Sequence, residues 1–111
     1  MQIEEHQQAA VSVLSPAGSL VGPDADVLRS RVREAVRANA GRVVLDLTHV
    51  TFIDSAGLEA VADLSDEMTA VARTLKIAAA NDTLREVLDV TEVGAACDRF
   101  DDVGAAVRSF A

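Results

Sequence analysis

Tryptophan and tyrosine are absent from this sequence, and phenylalanine occurs three times in 111 residues. A core without large rings must be built mainly from Val, Leu and Ala. Apolar residues make up 50% of the chain, enough for one such core. The single cysteine, Cys97, excludes an internal disulfide, so a reducing cytoplasm is the simplest setting. No apolar run approaches the roughly 20 residues of a membrane-spanning helix. The start, Met1-Gln2-Ile3-Glu4-Glu5, lacks the basic residues and apolar stretch of a signal peptide. Basic residues are few: 10 Lys and Arg stand against 18 Asp and Glu, a formal charge of −8. That balance disfavours nucleic acid and anionic membranes as partners and permits a basic protein partner. Repeats, linkers and low-complexity tracts are missing, so residues 1–111 are expected to form one domain.

What is present alternates between two periodicities. Val43–Leu45 is a short β-branched run suited to a strand buried on both faces, within a strand predicted over 42–47. From Leu58 the apolar residues Leu58, Val61, Ala62, Met68 and Ala72 recur at helical spacing, predicting a helix from Ser55 to about Arg73. Before this centre, residues 1–5 suit a short edge strand and 9–14 a second strand, interrupted or ended at Ser15-Pro16 and Gly18. Gly22-Pro23-Asp24 opens a helix with Leu28, Val32, Ala35, Val36 and Asn39 on one face. Arg29, Arg31, Arg33 and Glu34 fall elsewhere, as a solvated face. After the centre, 75–79 is a strand, and Thr83-Leu84-Arg85-Glu86 has the capping-box pattern for a short helix. Gly94 is read as a break and 95–100 as a last strand. Asp101 or Asp102 then caps a final helix with Val103, Ala106, Val107 and Phe110 on its buried face. Strands alternating with helices predict an α/β fold with a mixed, mainly parallel sheet. The loop after Val43–Leu47 would deliver Ser55 to the carboxyl edge, where sites of such sheets gather.

Catalysis fails on inventory. A nucleophilic serine needs a base, usually histidine, held by a third group. The histidines are His6 and His49, and Asp54-Ser55-Ala56-Gly57 lacks the first glycine of a nucleophile elbow. No phosphate-binding glycine loop with a following lysine occurs. His6, His49 and Cys97 form no zinc pattern, and the carboxylates have no metal-ligand spacing. No enzyme, metal or cofactor is expected. Two roles fit Asp54 and Ser55. Both are preferred helix N-caps, worth about 1 kcal/mol. Alternatively, Ser55 is a switch: phosphate there would lie near the unpaired amides of the first helical turn and add about two negative charges at one surface point. Gly57 either admits a partner's approach or allows close packing. Phe52 and Ile53 are read as core anchors, and Asp46 as a residue that bonds loop amides.

Val43-Val44-Leu45-Asp46-Leu47-Thr48 followed by Val50-Thr51-Phe52-Ile53-Asp54-Ser55-Ala56-Gly57-Leu58 closely resembles the signature of the STAS domain, found in anti-sigma factor antagonists and in cytoplasmic tails of sulfate transporters. Gly18-Ser19-Leu20, Leu75–Asn81, Glu92-Val93-Gly94 and Phe100 also resemble family features, so the likeness covers nearly the whole chain. It implies the STAS fold, with about four helices packed mostly on one side of the sheet. It also implies a bacterial, cytoplasmic anti-sigma factor antagonist that regulates transcription. Such a protein binds an anti-sigma factor that is a serine kinase, and so releases a sigma factor. The kinase phosphorylates the serine at the start of the second helix, here Ser55, and a serine phosphatase restores binding. ATP or ADP and Mg²⁺ belong to the kinase. The implied partner surface has Asp54, Ser55, Ala56, Gly57 and Leu58 at its centre and Gly18, Ser19, Leu20 and Val21, through Pro23, at its flank. Many of these antagonists have acidic residues around the early Gly-x-Leu, where this chain has Ser19 and Val21. A scaffold subunit of a signalling assembly, or a cytoplasmic accessory subunit of a lipid or anion transporter, is the alternative. No obligate dimer signal is visible, so a monomer is expected.

Overall fold

The computed structural model describes residues 1–111, and the chain folds around one long strand. Strands β1 (Gln2–Gln8) and β2 (Val11–Leu20) form an antiparallel hairpin. Helix α1 (Asp24–Ala38) leads to β3 (Val43–Asp46) and β4 (Val50–Ile53). Helix α2 (Ser55–Ala70), β5 (Lys76–Ala78), α3 (Asp82–Asp89), α4 (Glu92–Ala96), β6 (Asp98–Phe100) and α5 (Val103–Arg108) complete the chain. The sheet order is β1-β2-β3-β5-β6, and all pairs beyond the hairpin are parallel.

The ten residues of β2 serve two partners on one side. Residues Ser12–Leu14 pair with β3, and Gly18–Leu20 pair with β4. Pro16, expected to interrupt or end this strand, sits in the interval between the two pairings, where neither β3 nor β4 needs its missing N–H. Gly18 takes a φ of +102°, and the ladder to β4 slips one residue beside it. The strand bends there without ending. β4 stands where the sequence suggests only a connecting loop, because four residues with a bulge at Thr51 keep no legible alternation.

Alternation along β2 divides the core. Leu14 and Leu20 join Leu28, Val32, Val43, Leu45, Val61, Leu64, Leu75 and Ile77 in a 17-residue cluster beneath α1, α2 and α3. Val11 and Val13 join Val44, Ala78, Ala106 and Val107 in a smaller cluster under α5. Four helices therefore share one face of the sheet, and α5 covers part of the other.

Several local expectations change. Three arginines of α1 do more than form a solvated face: Arg29 bonds Asp63 at 3.0 Å, and Arg33 grips Glu67 with two bonds of 2.9 and 2.7 Å. Arg31 reaches Glu5 of β1 at 3.6 Å. The bonds from Arg33 hold the Glu67 carboxyl below its usual range. Their contribution is present above the ordinary glutamate range and fades as pH falls through the lowered value. It is small, because the pair is exposed. Asn81, not Thr83, caps α3: its side chain accepts from the Leu84 N–H at 2.9 Å and donates to the Val50 carbonyl at 2.6 Å. Gly94 lies inside α4, not at a break, and its glycine is required by close packing, since a Cβ there would meet the Leu88 carbonyl oxygen at 2.0 Å. Asp102 caps α5 through the Ala105 N–H at 2.7 Å.

Two outcomes follow from this packing. Leu45→Ala removes a fully buried side chain from the larger cluster and should cost about 2–5 kcal/mol in urea unfolding. Cys97 is buried, and burial pushes its thiol up. Native protein should therefore react with a disulfide reagent much more slowly than urea-unfolded protein. Because the folded thiol keeps its proton to higher pH than the unfolded one, stability should decline as pH rises above the ordinary thiol range.

Candidate functional site

The start of α2 is built by contact with the end of β2. Asp54 has extended backbone geometry and is the helix N-cap. One carboxylate oxygen, Oδ1, accepts the Gly57 N–H at 2.9 Å. The other, Oδ2, accepts the Gly22 N–H at 3.2 Å. The Asp54 N–H itself donates to the Leu20 carbonyl at 3.3 Å. A single residue thus links the first turn of α2, the end of β2 and the turn that enters α1.

Gly57 is buried, and close packing is what requires it. A Cβ at this position would lie 2.2 Å from the Leu20 carbonyl oxygen and under 3 Å from side-chain atoms of Ile53 and Leu20. The helix therefore rests directly on the β2 backbone, and Gly57 faces the interior of the protein.

Ser55 is the first residue of α2 and is exposed. Of the two caps allowed by the sequence, Asp54 is the one used; the Ser55 hydroxyl makes no hydrogen bond within the chain. The amides of Ser55 and Ala56 likewise have no acceptor in the protein, as expected for the first turn of a helix.

The other candidate residues divide by burial. Ser19 is exposed, and Gly18, Val21, Ala56 and Leu58 are half-buried. Leu20 is completely buried and Gly57 nearly so, so their side of the site is support, not contact surface. Gly18, Ser19 and Leu20 are strand residues of β2, and the flanking turn is confined to Val21–Pro23. Phe52, expected in the core, is instead 53% exposed. It pairs with Ser19 in the ladder, on a part of the sheet that α5 does not cover. The bulge at Thr51 turns Phe52 to the face opposite Val50, and no periodicity in the sequence reveals it.

Asp46 bonds a loop amide as expected, its Oδ1 accepting from the Thr48 N–H at 3.0 Å, and its Oδ2 accepts from the Ser15 hydroxyl of β2 at 2.9 Å. His49 is exposed on the turn before β4, while Ser55 follows the far end of that strand. The four residues of β4, about 13 Å of strand, and Asp54 lie between them. No group of three His, Cys, Asp or Glu is placed to hold a metal ion. No helix is long and apolar enough to cross a membrane.

The close approach at Gly57 has a direct consequence. Gly57→Ala should destabilise the fold by about 1–3 kcal/mol, whereas Ala56→Gly should cost about 1 kcal/mol or less; thermal or urea unfolding of the two variants distinguishes them.

Residues 1–106 match the family pattern of the STAS domain. None of the curated protein sequences matches the chain. Among solved structures, it is similar to a Thermotoga maritima protein, TM1081, assigned as an anti-sigma factor antagonist. That match has a TM-score of 0.85 at 18% identity and covers 96% of this chain and 92% of that one. It is also similar to the Bacillus cell fate determinant SpoIIAA in its phosphorylated form, with a TM-score of 0.74 at 18% identity and coverage of 99% and 100%. A third likeness is to the murine anion transporter Slc26a9, with a TM-score of 0.75 at 16% identity; there, 95% of this chain matches 18% of the transporter. At these identities the structural likenesses establish the fold, and with the sequence pattern running through residues 1–106 the chain belongs to the STAS domain family.

Proposed function

We propose that this protein is an anti-sigma factor antagonist, switched off by phosphorylation of Ser55. Its partner is an anti-sigma factor with serine kinase activity, which the unmodified protein engages so that a sigma factor is freed. A serine phosphatase reverses the modification. The protein acts by binding in the cytoplasm and performs no chemistry of its own. The observation that carries this reading is the free Ser55 hydroxyl at the exposed start of α2, where Asp54 already serves as the cap. A serine needed to start the helix would be tied to it.

The mechanism is electrostatic. Phosphate on Ser55 adds about two negative charges and three strong acceptor oxygens. The unpaired amides of Ser55 and Ala56, at the positive end of the α2 dipole, tolerate that charge within the protein. A partner seated over the same turn would have to bury it, and burying an unmatched charge opposes association. The close seat under the turn, through Gly57 and Leu20, keeps α2 in place while its surface changes. The surface offered to the partner comprises Ser55 with Asp54, Ala56 and Leu58, flanked by Ser19 and Val21.

A second reading draws on the likeness to a segment of an anion transporter: the chain would be a cytoplasmic accessory subunit of a transporter, and Ser55 would stay unmodified. A scaffold subunit of a signalling assembly would be seen instead as a constant oligomer with related domains.

Phosphopeptide mapping of the protein from its native cells, in growth and under stress, should find phosphate at Ser55 with an occupancy that changes with condition. Ser55→Asp should keep the fold and weaken binding to the anti-sigma factor at least about tenfold; Ser55→Ala should bind and escape the switch. Equal affinities for wild type and Ser55→Asp, or an unmodified Ser55 in every condition, would overturn the proposal. Co-purification with a membrane ATPase would favour the transporter role.

A further inference from the structure

We infer that Asp54 is a positioning residue that couples Ser55 to the turn before α1, so that charge placed on Ser55 is felt at Gly22. The inference rests on the reading of Ser55 as the modified residue and adds a second consequence of that modification. The Asp54 carboxylate is divided between two amides of unequal security. Its bond to Gly57 is 2.9 Å long and partly buried. Its bond to Gly22 is 3.2 Å long and exposed. Gly22 has a φ of +51°, and nothing lies within 4 Å of where a Cβ would stand, so no side-chain packing covers it there. Its carbonyl is engaged by the Ala25 N–H and the neighbouring Val21 carbonyl by the Asp24 N–H, both at 3.1 Å. These bonds face α1. Towards α2, the Gly22 amide has only Asp54.

Ser55 is the next residue along the chain from this carboxylate. A phosphate on its hydroxyl puts about two further negative charges beside Asp54. The carboxylate can relieve the repulsion by turning away, and the longer, exposed Gly22 arm breaks before the shorter, partly buried Gly57 arm. Helix α2 stays capped while the Val21–Pro23 turn is released. Phosphorylation then acts twice on the partner surface: it adds charge at the centre and loosens the flank that Asp54 had held in register with Ser55.

The test needs no partner protein. Phosphoserine is installed at position 55 during translation in ¹⁵N-labelled protein, and amide hydrogen exchange is followed by NMR. The Gly22 amide should exchange at least about tenfold faster in the phosphorylated protein, the change expected for losing a bond to a charged acceptor. The Gly57 and Leu45 amides should be unchanged. Asp54→Asn keeps one acceptor, enough for Gly57 but not for both amides. In that variant Gly22 should already exchange fast, and phosphate at Ser55 should add nothing, a non-additivity that a purely structural role of Asp54 would not produce. A Gly22 amide indifferent to phosphate in the otherwise wild-type protein, or a phosphate effect that persists in Asp54→Asn, would overturn the inference. If Asp54→Asn does not fold, the phosphoserine protein alone decides. Because the phosphate is supplied synthetically, a Gly22 response together with an unmodified Ser55 in cells would retire the switch and leave the coupling intact.

Discussion

The carbonyl end of β2 is the constraint on which the rest depends. Leu20 is fully buried in the main cluster, and its carbonyl receives the Asp54 N–H while excluding any side chain from position 57. β2 can deliver Leu20 to that place only by running ten residues, past Pro16 and through the left-handed Gly18, with β3 supporting its start and β4 its end. Shortening it at the proline would remove both the seat of α2 and the ladder that carries Phe52. The exposed Ser55 is thus presented by a helix start seated directly on the β2 backbone. Surface loops are usually the mobile part of a fold, but here the presenting turn is held by Asp54 on one side and by backbone contact on the other.

The features legible in the sequence were those set by local chemistry in long or strongly patterned segments. The α1 face of Leu28, Val32 and Ala35 was visible because 3.6-residue spacing over fifteen residues leaves little ambiguity. The start of α2 at Ser55 was visible because Asp, Ser and Gly mark that turn before a helical run. What escaped depended on contacts between distant residues. β4 exists because β2 is long enough to need a second neighbour. Gly94 lies within a helix, where its lack of a side chain lets Leu88 approach. Arg29 and Arg33 of α1 find Asp63 and Glu67 on α2, and a helix read alone shows only a charged face. The choice between Asn81 and Thr83 as cap turned on the additional bond from Asn81 to Val50.

The site divided in the same way. The sequence placed Asp54, Ser55 and Gly57 together and left two roles open for each of the last two. Asp54 takes the capping role, Gly57 faces inward in close packing, and Ser55 faces outward. The link from Asp54 to Gly22 spans 32 positions, and no spacing rule could have supplied it. Phe52 is the converse case, an aromatic residue in an apolar stretch that a one-residue bulge turns outward.

The second face of the sheet has a consequence for how the protein is made. Val11, Val13, Val44 and Ala78 are covered by Ala106 and Val107 of α5, and α5 follows every strand in the chain. On the ribosome the sheet and its four other helices can assemble while this valine-rich face remains bare, until α5 emerges. The nascent protein therefore passes through a stage with an adhesive face, the kind of surface that chaperones retain and that truncated products expose permanently.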